Sequence, residues 1–308
     1  AGTVRNCRIV KGVASAEGGG IFMTTLGCLA EYCVITDNDG GALGGGIAME
    51  TQGNASHCVI LRNVAGTWGG GGVYCRSGGT LRNCLIAGNQ TTSLNAPMSA
   101  GIFTDHNSFL IENCTIVRNN EGGVYNRGGG QLKNCIIYFN EPINHNGAPP
   151  MDYSCTTPLP LTGSGNTDMN PEVADPGSGS GPGAVLGDYR LLLGSPGLDA
   201  GTALAAVTND LDGRARPQDG SPSVPGALHD MGAYESEAYT NGPFRCSFTV
   251  SPAGGLSPLT SVFTAYVAGS NGVTNVTYHA WDFGAGTTPQ GGAALNVATN
   301  VYGAGVYT

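Results

Sequence analysis

A short cysteine-containing pattern recurs along the first half of the chain and constrains its fold more than any other feature. Each copy has a glycine cluster, a short apolar stretch, a Cys-x-Ile triplet and, five residues after the cysteine, an asparagine. The repeated cysteines are Cys7, Cys33, Cys58, Cys84, Cys114 and Cys135, at intervals of 21 to 30 residues. The asparagines are Asn38, Asn63, Asn89, Asn119 and Asn140, and the first copy has Gly12 instead. A period near 25 residues with strand-like alternation predicts a β-solenoid.

The asparagine position is the most informative one in the repeat. Stacked in register, each asparagine can hydrogen-bond to its own turn and to the asparagine of the next coil, which satisfies a buried amide. Alternatively, the asparagines lie in surface turns, where asparagine is favoured because it tolerates a left-handed backbone conformation. That interpretation does not account for the constant five-residue spacing from the cysteine. We therefore predict an internal asparagine ladder.

The cysteine position predicts free thiols. In-register parallel strands place equivalent Cβ atoms about 4.8 Å apart, which exceeds the ~3.5–4.5 Å that a disulfide prefers. The column contains no CxxC spacing and no interleaved histidine, so it does not indicate a metal or catalytic site. Four further cysteines lie outside the column: Cys28, Cys75, Cys155 and Cys246. The sequence does not determine whether their thiols are free or oxidised.

The glycine cluster followed by Asn-Cys-x-Ile-x-x-Asn, over about residues 1–155, resembles a known family of repeats. It is similar to the right-handed parallel β-helix proteins of bacterial surfaces, including the polymorphic outer-membrane-protein type of repeat. The resemblance implies a right-handed parallel β-helix, whereas the periodicity alone predicts only a β-solenoid.

Residues 156–241 begin with a link rich in Pro, Gly and Ser and continue with four short blocks. The blocks lie at 188–191, 195–201, 210–217 and 230–235. In this order they resemble the C-terminal segment of bacterial extracellular β-helix proteins of the choice-of-anchor Q type. We expect this segment to cap the open end of the solenoid, where unpaired strand edges would otherwise invite association.

Asp210 and Asp212 form the one candidate metal site. Clustered carboxylates on a turn suit calcium, but the later ligands of an EF-hand loop are missing. Arg214 and Arg216 stand close enough in sequence to neutralise both aspartates. An Asp–Arg structural turn is therefore the main interpretation and bound Ca²⁺ the alternative; no other cofactor is predicted.

Residues 242–308 alternate like the strands of a sandwich at 248–250 and 262–266. The stretch 278–286 resembles the signature of the PKD domain, which implies an immunoglobulin-like β-sandwich. That family continues into a last strand beyond Thr308, and the chain also begins in mid-coil. We expect either an excerpt of a larger protein or completion by a neighbour's strand, which would build a head-to-tail filament of this chain.

Composition excludes two classes of partner. Acidic residues outnumber basic ones by 22 to 13 and lysine occurs only at Lys11 and Lys133, so there is no basic stripe for a nucleic acid. No apolar run approaches the 18 residues of a membrane span.

The acidic residues of the repeats look scattered, without recurrence at one repeat position. Arg82 and Arg118 lack a carboxylate at a matching offset, and 105–107 (Asp-His-Asn) is the best local constellation, expected to be a surface turn. No catalytic residue is therefore predicted, and an enzyme is the less favoured alternative.

Two classes of function remain. The first is a non-enzymatic structural or adhesive protein of the cell surface or extracellular space. The second is a carbohydrate-active β-helix protein that binds or cleaves an extracellular polysaccharide. A groove of aromatic and acidic side chains would favour the second, and strand exchange between subunits the first.

Overall fold

The computed structural model describes residues 1–92, 100–105, 109–147, 150–220 and 228–236, and the backbone of five further strands between residues 244 and 302. Residues 1–156 form a parallel β-solenoid in which successive coils add strands to three parallel sheets. The predicted all-β solenoid is confirmed.

Sheet I contains β1 (Thr3–Arg5), β4 (Leu29–Glu31), β7 (Gly53–Ser56), β11 (Gly79–Arg82), β15 (Phe109–Glu112), β18 (Gln131–Lys133) and β21 (Met151–Asp152). Sheet II contains β3 (Ile21–Met23), β6 (Ile47–Met49), β10 (Val73–Cys75), β14 (Ile102–Thr104), β17 (Val124–Asn126) and β20 (His145–Asn146). Sheet III contains β2 (Arg8–Val10), β5 (Val34–Thr36), β8 (Val59–Leu61), β12 (Leu85–Ala87), β16 (Thr115–Val117), β19 (Ile136–Tyr138) and β22 (Cys155–Thr156). A short parallel pair, β9 (Val64–Ala65) and β13 (Gln90–Thr91), lies between Sheets III and II along the chain.

Like residues stack on like residues in the core. Because side chains alternate along a strand, every second residue of each sheet points inward and meets its equivalent in the next coil. In Sheet III the inward stack is Ile35, Ile60, Ile86, Ile116 and Ile137, all fully buried. In Sheet II it is Ile21, Ile47, Val73, Ile102 and Val124.

The glycine clusters are required by close approach between coils. Gly44 opens one cluster with φ of 62°, a conformation that favours glycine. A Cβ on Gly45 would lie 2.3 Å from the carbonyl oxygen of Val64, and one on Gly46 would lie 2.6 Å from that of Gly72. Larger residues would therefore push neighbouring coils apart.

The corner between Sheet I and Sheet III is made by the residue before each repeated cysteine. These residues have φ between 48° and 54° although none is glycine. They form what we call the corner column: Asn6, Tyr32, His57, Asn83, Asn113 and Asn134.

The chain after the solenoid packs against its side. We call residues 156–236 the flanking segment; after Thr156, its residues 157–220 and 228–236 contain one 3₁₀ turn, at Gly181–Gly183, and otherwise only turns and isolated bridges. Val173, Tyr189 and Met231 are buried in a cluster with Leu85 and Ile136 of Sheet III. The outward face of Sheet III is therefore covered from β8 onward, whereas Val10 of β2 stays 38% exposed.

The flanking segment also closes one end of the solenoid. Thr156 donates its N–H to the carbonyl of Thr167 at 2.9 Å, and Thr167 donates to Ser154 at 3.0 Å. The expected cap thus corresponds to a short stretch around residue 167, while most of the segment lies along the outer face of Sheet III.

Beyond residue 243 the described strands are antiparallel. β23 (Phe244–Ser251), β24 (Leu259–Gly269) and β27 (Val297–Tyr302) form one sheet, and β25 (His279–Trp281) pairs with β26 (Gln290–Gly292). Most of the PKD-like signature at 278–286 lies outside the described residues, so the sandwich stays a prediction.

Candidate functional site

The five repeated asparagines form a continuous ladder inside the solenoid. Each side-chain Nδ2 donates to the Oδ1 of the asparagine in the next coil at 2.8–3.1 Å. The same Oδ1 accepts the backbone N–H of the preceding asparagine at 2.9–3.0 Å. The other Nδ2 hydrogen goes to a main-chain carbonyl of Sheet III. All five side chains are buried, and because every amide is paired their burial is compatible with stability.

Both ends of the ladder use a residue outside the repeat rule. At one end the N–H of Gly12 donates to Asn38 Oδ1 at 2.8 Å. At the other, Asn140 donates both its backbone N–H and its Nδ2 to Asn144 Oδ1, at 3.0 and 3.1 Å. Asn144 then donates to the carbonyl of Thr157 at 2.9 Å. Sequence reasoning missed Asn144 because no cysteine precedes it by five residues.

The repeated cysteines form a column of thiols. The nine cysteines whose side chains the structure describes are free, and in the column only Cys7, at the solenoid edge, is exposed. Burial raises the pKa of the Cys135 thiol to about 12 and that of Cys84 well above its ordinary value. These thiols are therefore protonated and unreactive near neutral pH.

The cysteines outside the column have other neighbours. Cys75 faces inward in Sheet II, with its Sγ 3.9 Å from Met49 Sδ. Cys155 lies opposite Ile136 and packs with the flanking segment. Ser154 takes the repeated position instead, accepting the N–H of Cys135 at 3.1 Å.

The residues two positions before each repeated cysteine, and Asp152 two positions before Ser154, form a column on Sheet I in which every member except Ser56 is charged. In register these residues are Arg5, Glu31, Ser56, Arg82, Glu112, Lys133 and Asp152. Arg5 pairs with Glu31, and Arg82 Nε lies 2.6 Å from Glu112 Oε2. The expectation that acidic residues do not recur and that Arg82 has no matching carboxylate is wrong. The repeat offset, counted backward from the cysteine, is the signal that would have found these pairs.

Sheet II carries a second column of alternating charge. Glu50, Arg76, Asp105 and Arg127 each lie three residues after an inward-facing Ile or Val of the repeat. Arg76 Nε is 2.9 Å from Glu50 Oε1, and Arg127 Nη1 is 3.0 Å from Asp105 Oδ1. Of the constellation 105–107, only Asp105 lies within the described residues, and it is engaged in this structural pair.

A further ion pair crosses coils between two corner positions that follow Sheet III. Arg62 contacts both carboxylate oxygens of Asp37 at 2.9 Å. Hydrogen bonds from Arg62 hold the pKa of Asp37 below its usual value. These contacts show that charge on the solenoid is neutralised mainly between adjacent coils.

Asp210 and Asp212 have donors that a bound cation would have to displace. Asp210 accepts the N–H groups of Arg214 and Glu235 at 2.7 and 2.8 Å. Asp212 forms a bidentate pair with Arg190 at 2.8–3.1 Å. In the described part of the chain no three His, Cys, Asp or Glu side chains are grouped to hold a metal ion. These contacts favour a structural turn over bound Ca²⁺. The arginine that pairs with Asp212 is Arg190.

A buried network joins the blocks of the flanking segment. The Arg216 and Glu235 side chains are fully buried and paired at 2.8 Å. Arg216 also donates to the carbonyls of Asp230 and Gly232 at 3.0 and 2.7 Å. Asp230 accepts the N–H of Asp199 at 2.7 Å. The recurring acidic and basic residues of these blocks therefore act as a scaffold, since they bind one another and the main chain.

Aromatic side chains line the outer face of Sheet II. Phe22, Tyr74, Phe103 and Tyr125 follow one another in register, with Ala48 between the first two. The ring centroids of Tyr74 and Phe103 are 5.4 Å apart, and those of Phe103 and Tyr125 are 5.5 Å apart. Tyr74 and Phe103 are buried, whereas Phe22 is 48% exposed.

A groove beside Phe22 brings together acidic residues that are distant in sequence. Arg76 binds Glu17 at 3.0 Å as well as Glu50. Glu17 and Glu50 therefore lie against the same guanidinium. Burial and the neighbouring Glu50 raise the pKa of Glu17. Glu17 lies four residues before Ile21, an offset that no other acid of the repeats shares, so sequence reasoning missed the group.

Comparison with protein-family models, with curated proteins and with solved structures gave no match. Within the described residues, no helix is long and apolar enough to cross a membrane.

Proposed function

We propose that this chain is a non-enzymatic extracellular structural or adhesive protein built on a right-handed parallel β-helix. The observation that carries the proposal is how polar side chains are used along the solenoid. The asparagine ladder bonds each coil to the next, and ion pairs of adjacent coils line two of the sheets. Such contacts stiffen a rod and leave few groups to act on a substrate.

The buried thiols are compatible with the proposed extracellular location. The column cysteines after Cys7 are fully buried, and raised pKa values keep thiols such as Cys135 protonated. Oxidants act on the exposed thiolate, so a surface protein can carry these cysteines without disulfides. The flanking segment and the antiparallel strands of residues 244–302 suit the proposed choice-of-anchor Q type segment and PKD-like sandwich.

A turnover assay tests the non-enzymatic role. The purified chain is incubated with pectin, alginate, xylan and cellulose, each with Ca²⁺ and with a chelator, and products are measured as reducing ends and as unsaturated sugars. We expect no product above that of heat-denatured protein. Release of product that Glu50→Gln abolishes would overturn the proposal.

Self-association belongs to the same proposal. Light scattering after size-exclusion chromatography and negative-stain electron microscopy measure it between about 1 and 300 μM. A structural filament predicts head-to-tail rods that lengthen with concentration. A strictly monomeric chain across this range would limit the role to adhesion.

The groove at Phe22 favours a second candidate, saccharide binding. Cleavage there is disfavoured, because a glycosidase needs two carboxyl groups that are free to act as acid and as base or nucleophile, whereas Glu17 and Glu50 are both paired with Arg76 at 3.0 and 2.9 Å. The carbohydrate alternative therefore narrows to binding without hydrolysis.

A further inference from the structure

The groove next to Phe22 is a concave surface of the solenoid that combines exposed apolar groups with charged ones. It has a cavity volume of ≈ 800 Å³ and runs along the outer side of Sheet II at β3. Phe22 and Val13, which line it, are 48% and 80% exposed. Their side chains do not belong to the solenoid core, since Ile21 and Met23 provide the inward contacts of β3. Concave surfaces that combine apolar side chains with a few charged or polar groups are typical of ligand sites.

The polar wall of the groove offers both hydrogen-bond donors and acceptors. Arg76 is fixed between Glu17 and Glu50, at 3.0 and 2.9 Å, yet 46% of its side chain stays exposed. Its guanidinium retains N–H groups for a ligand, and the carboxylates are acceptors of hydroxyl hydrogens. Thr24 adds a hydroxyl group along the same wall.

These groups match the chemistry of a sugar ring. A pyranose has hydroxyls around its edge, which donate and accept, and C–H groups on its face, which pack on an aromatic ring. The groove contains two carboxyl groups, of Glu17 and Glu50, and one guanidinium, of Arg76, and the whole chain has a net charge of −9. An acidic polysaccharide would therefore be repelled, whereas a neutral one would not.

We propose that this groove, the Phe22 groove, is a binding site for neutral saccharides. Phe22 stacks on the face of one sugar unit, while Arg76 and the Glu17–Glu50 pair bind hydroxyls at its edge. The site binds without bond cleavage. This inference does not depend on the structural role, but it deepens the second candidate function, saccharide binding at this groove, and rests on it.

Calorimetry with defined oligosaccharides tests the site. The full chain is titrated with cellohexaose, xylohexaose, mannohexaose and maltohexaose, and separately with polygalacturonate and with CaCl₂. We expect at least one neutral hexaose to bind with a Kd of about 0.1–1 mM and polygalacturonate not to bind. Phe22→Ala should weaken that Kd at least about tenfold, and Glu50→Gln several-fold.

Trp68→Ala is the matched control, because Trp68 is 52% exposed and does not line the groove. It should change the Kd less than about twofold, and circular dichroism melts should show that all three variants remain folded. The proposal is overturned if no neutral hexaose binds, if Trp68→Ala and Phe22→Ala act equally, or if polygalacturonate binds more tightly. Calcium binding that Glu50→Gln removes would also overturn it, since the groove would then be a cation site.

Discussion

Each asparagine of the ladder uses both ends of its amide, so one side chain holds three coils together. Asn89, for example, accepts from Asn63 at 3.1 Å and donates to Asn119 at 3.0 Å and to the Ile60 carbonyl at 3.0 Å. Cys84, the cysteine of the same coil, makes weaker contacts: its thiol packs in the core and donates to nearby carbonyls at 3.2–3.7 Å. At the scale of a residue, the amide therefore specifies register, and the thiol mainly packs.

We expect Asn89→Ala to destabilise the chain by about 3 kcal/mol or more. The substitution leaves the Asn63 amide and the Ile60 carbonyl buried without partners, at about 1–3 kcal/mol for each group. Urea unfolding followed by circular dichroism measures the change. Asn54→Ala, at a half-buried position on the outer side of Sheet I, is the control and should change the free energy of unfolding by less than about 0.5 kcal/mol. Equal effects would show that the ladder adds no specific stability.

Thiol accessibility gives a second test at this scale. Cys7 is exposed, and a hydrogen bond with Thr25 lowers the pKa of the partly exposed Cys28. We expect iodoacetamide to alkylate these two within minutes at pH 8 and the buried column at least about 100-fold more slowly. Peptide mass spectrometry before and after denaturation identifies each site. Rapid native labelling of Cys58 or Cys84 would contradict the buried column.

At the scale of elements, the corner column joins Sheet III to the flanking segment. Asn83 Nδ2 donates to the Asn209 carbonyl at 2.6 Å, and Asn134 exchanges hydrogen bonds with Thr202 at 2.7 and 2.8 Å. The left-handed backbone that turns the corner thus also presents side-chain amides outward. A solenoid corner in this protein is a docking edge as well as a bend.

Acidification should loosen this docking through two histidines. His57 Nε2 lies 3.1 Å from Asn83 Nδ2, so the ring must accept there and stay neutral. Burial lowers the pKa of His57, and burial together with Arg216 lowers the pKa of His229. Below about pH 6.5 these two histidines bind protons more readily in the unfolded chain than in the folded chain. The free energy of unfolding therefore falls as the pH drops through this window.

Urea midpoints at pH 7.5 and 5.0 measure the effect. The pair His57→Gln and His229→Gln should reduce the loss of stability between these pH values. His145→Gln, at the end of Sheet II, should leave the loss unchanged. A pH dependence identical in the double variant and the native chain would show that these rings do not control docking.

At the scale of the whole molecule, the solenoid and the flanking segment share buried surface. The solenoid core is one apolar cluster, and the outer face of Sheet III forms another with Val173, Tyr189 and Met231. Because that face carries Leu85, Val117 and Ile136, removing the segment would expose a contiguous apolar patch. The two parts should therefore unfold together.

Met231→Asp tests this coupling. A carboxylate at this buried position should destabilise docking by about 3 kcal/mol or more, because the charge would be buried away from solvent. We expect a lower melting temperature and new binding of an apolar dye. Leu228→Asp, at a position 43% exposed, is the control and should have little effect. A native solenoid transition with a separately melted segment would show that the two parts are independent.

The sequence by itself determined the solenoid, because residues that stack on one another in successive coils recur at a nearly regular spacing along the chain. Cys84 and Asn89 could be assigned to interior columns from that period, and Arg82–Glu112 could have been found from it too. Only the tertiary structure decided what lies beside the repeat. The Asn144 rung, the Glu17–Arg76 contact and the side-on packing of the flanking segment join residues at unrelated offsets. Contacts of this kind depend on loop paths and packing between elements, and they leave no periodic trace in the chain.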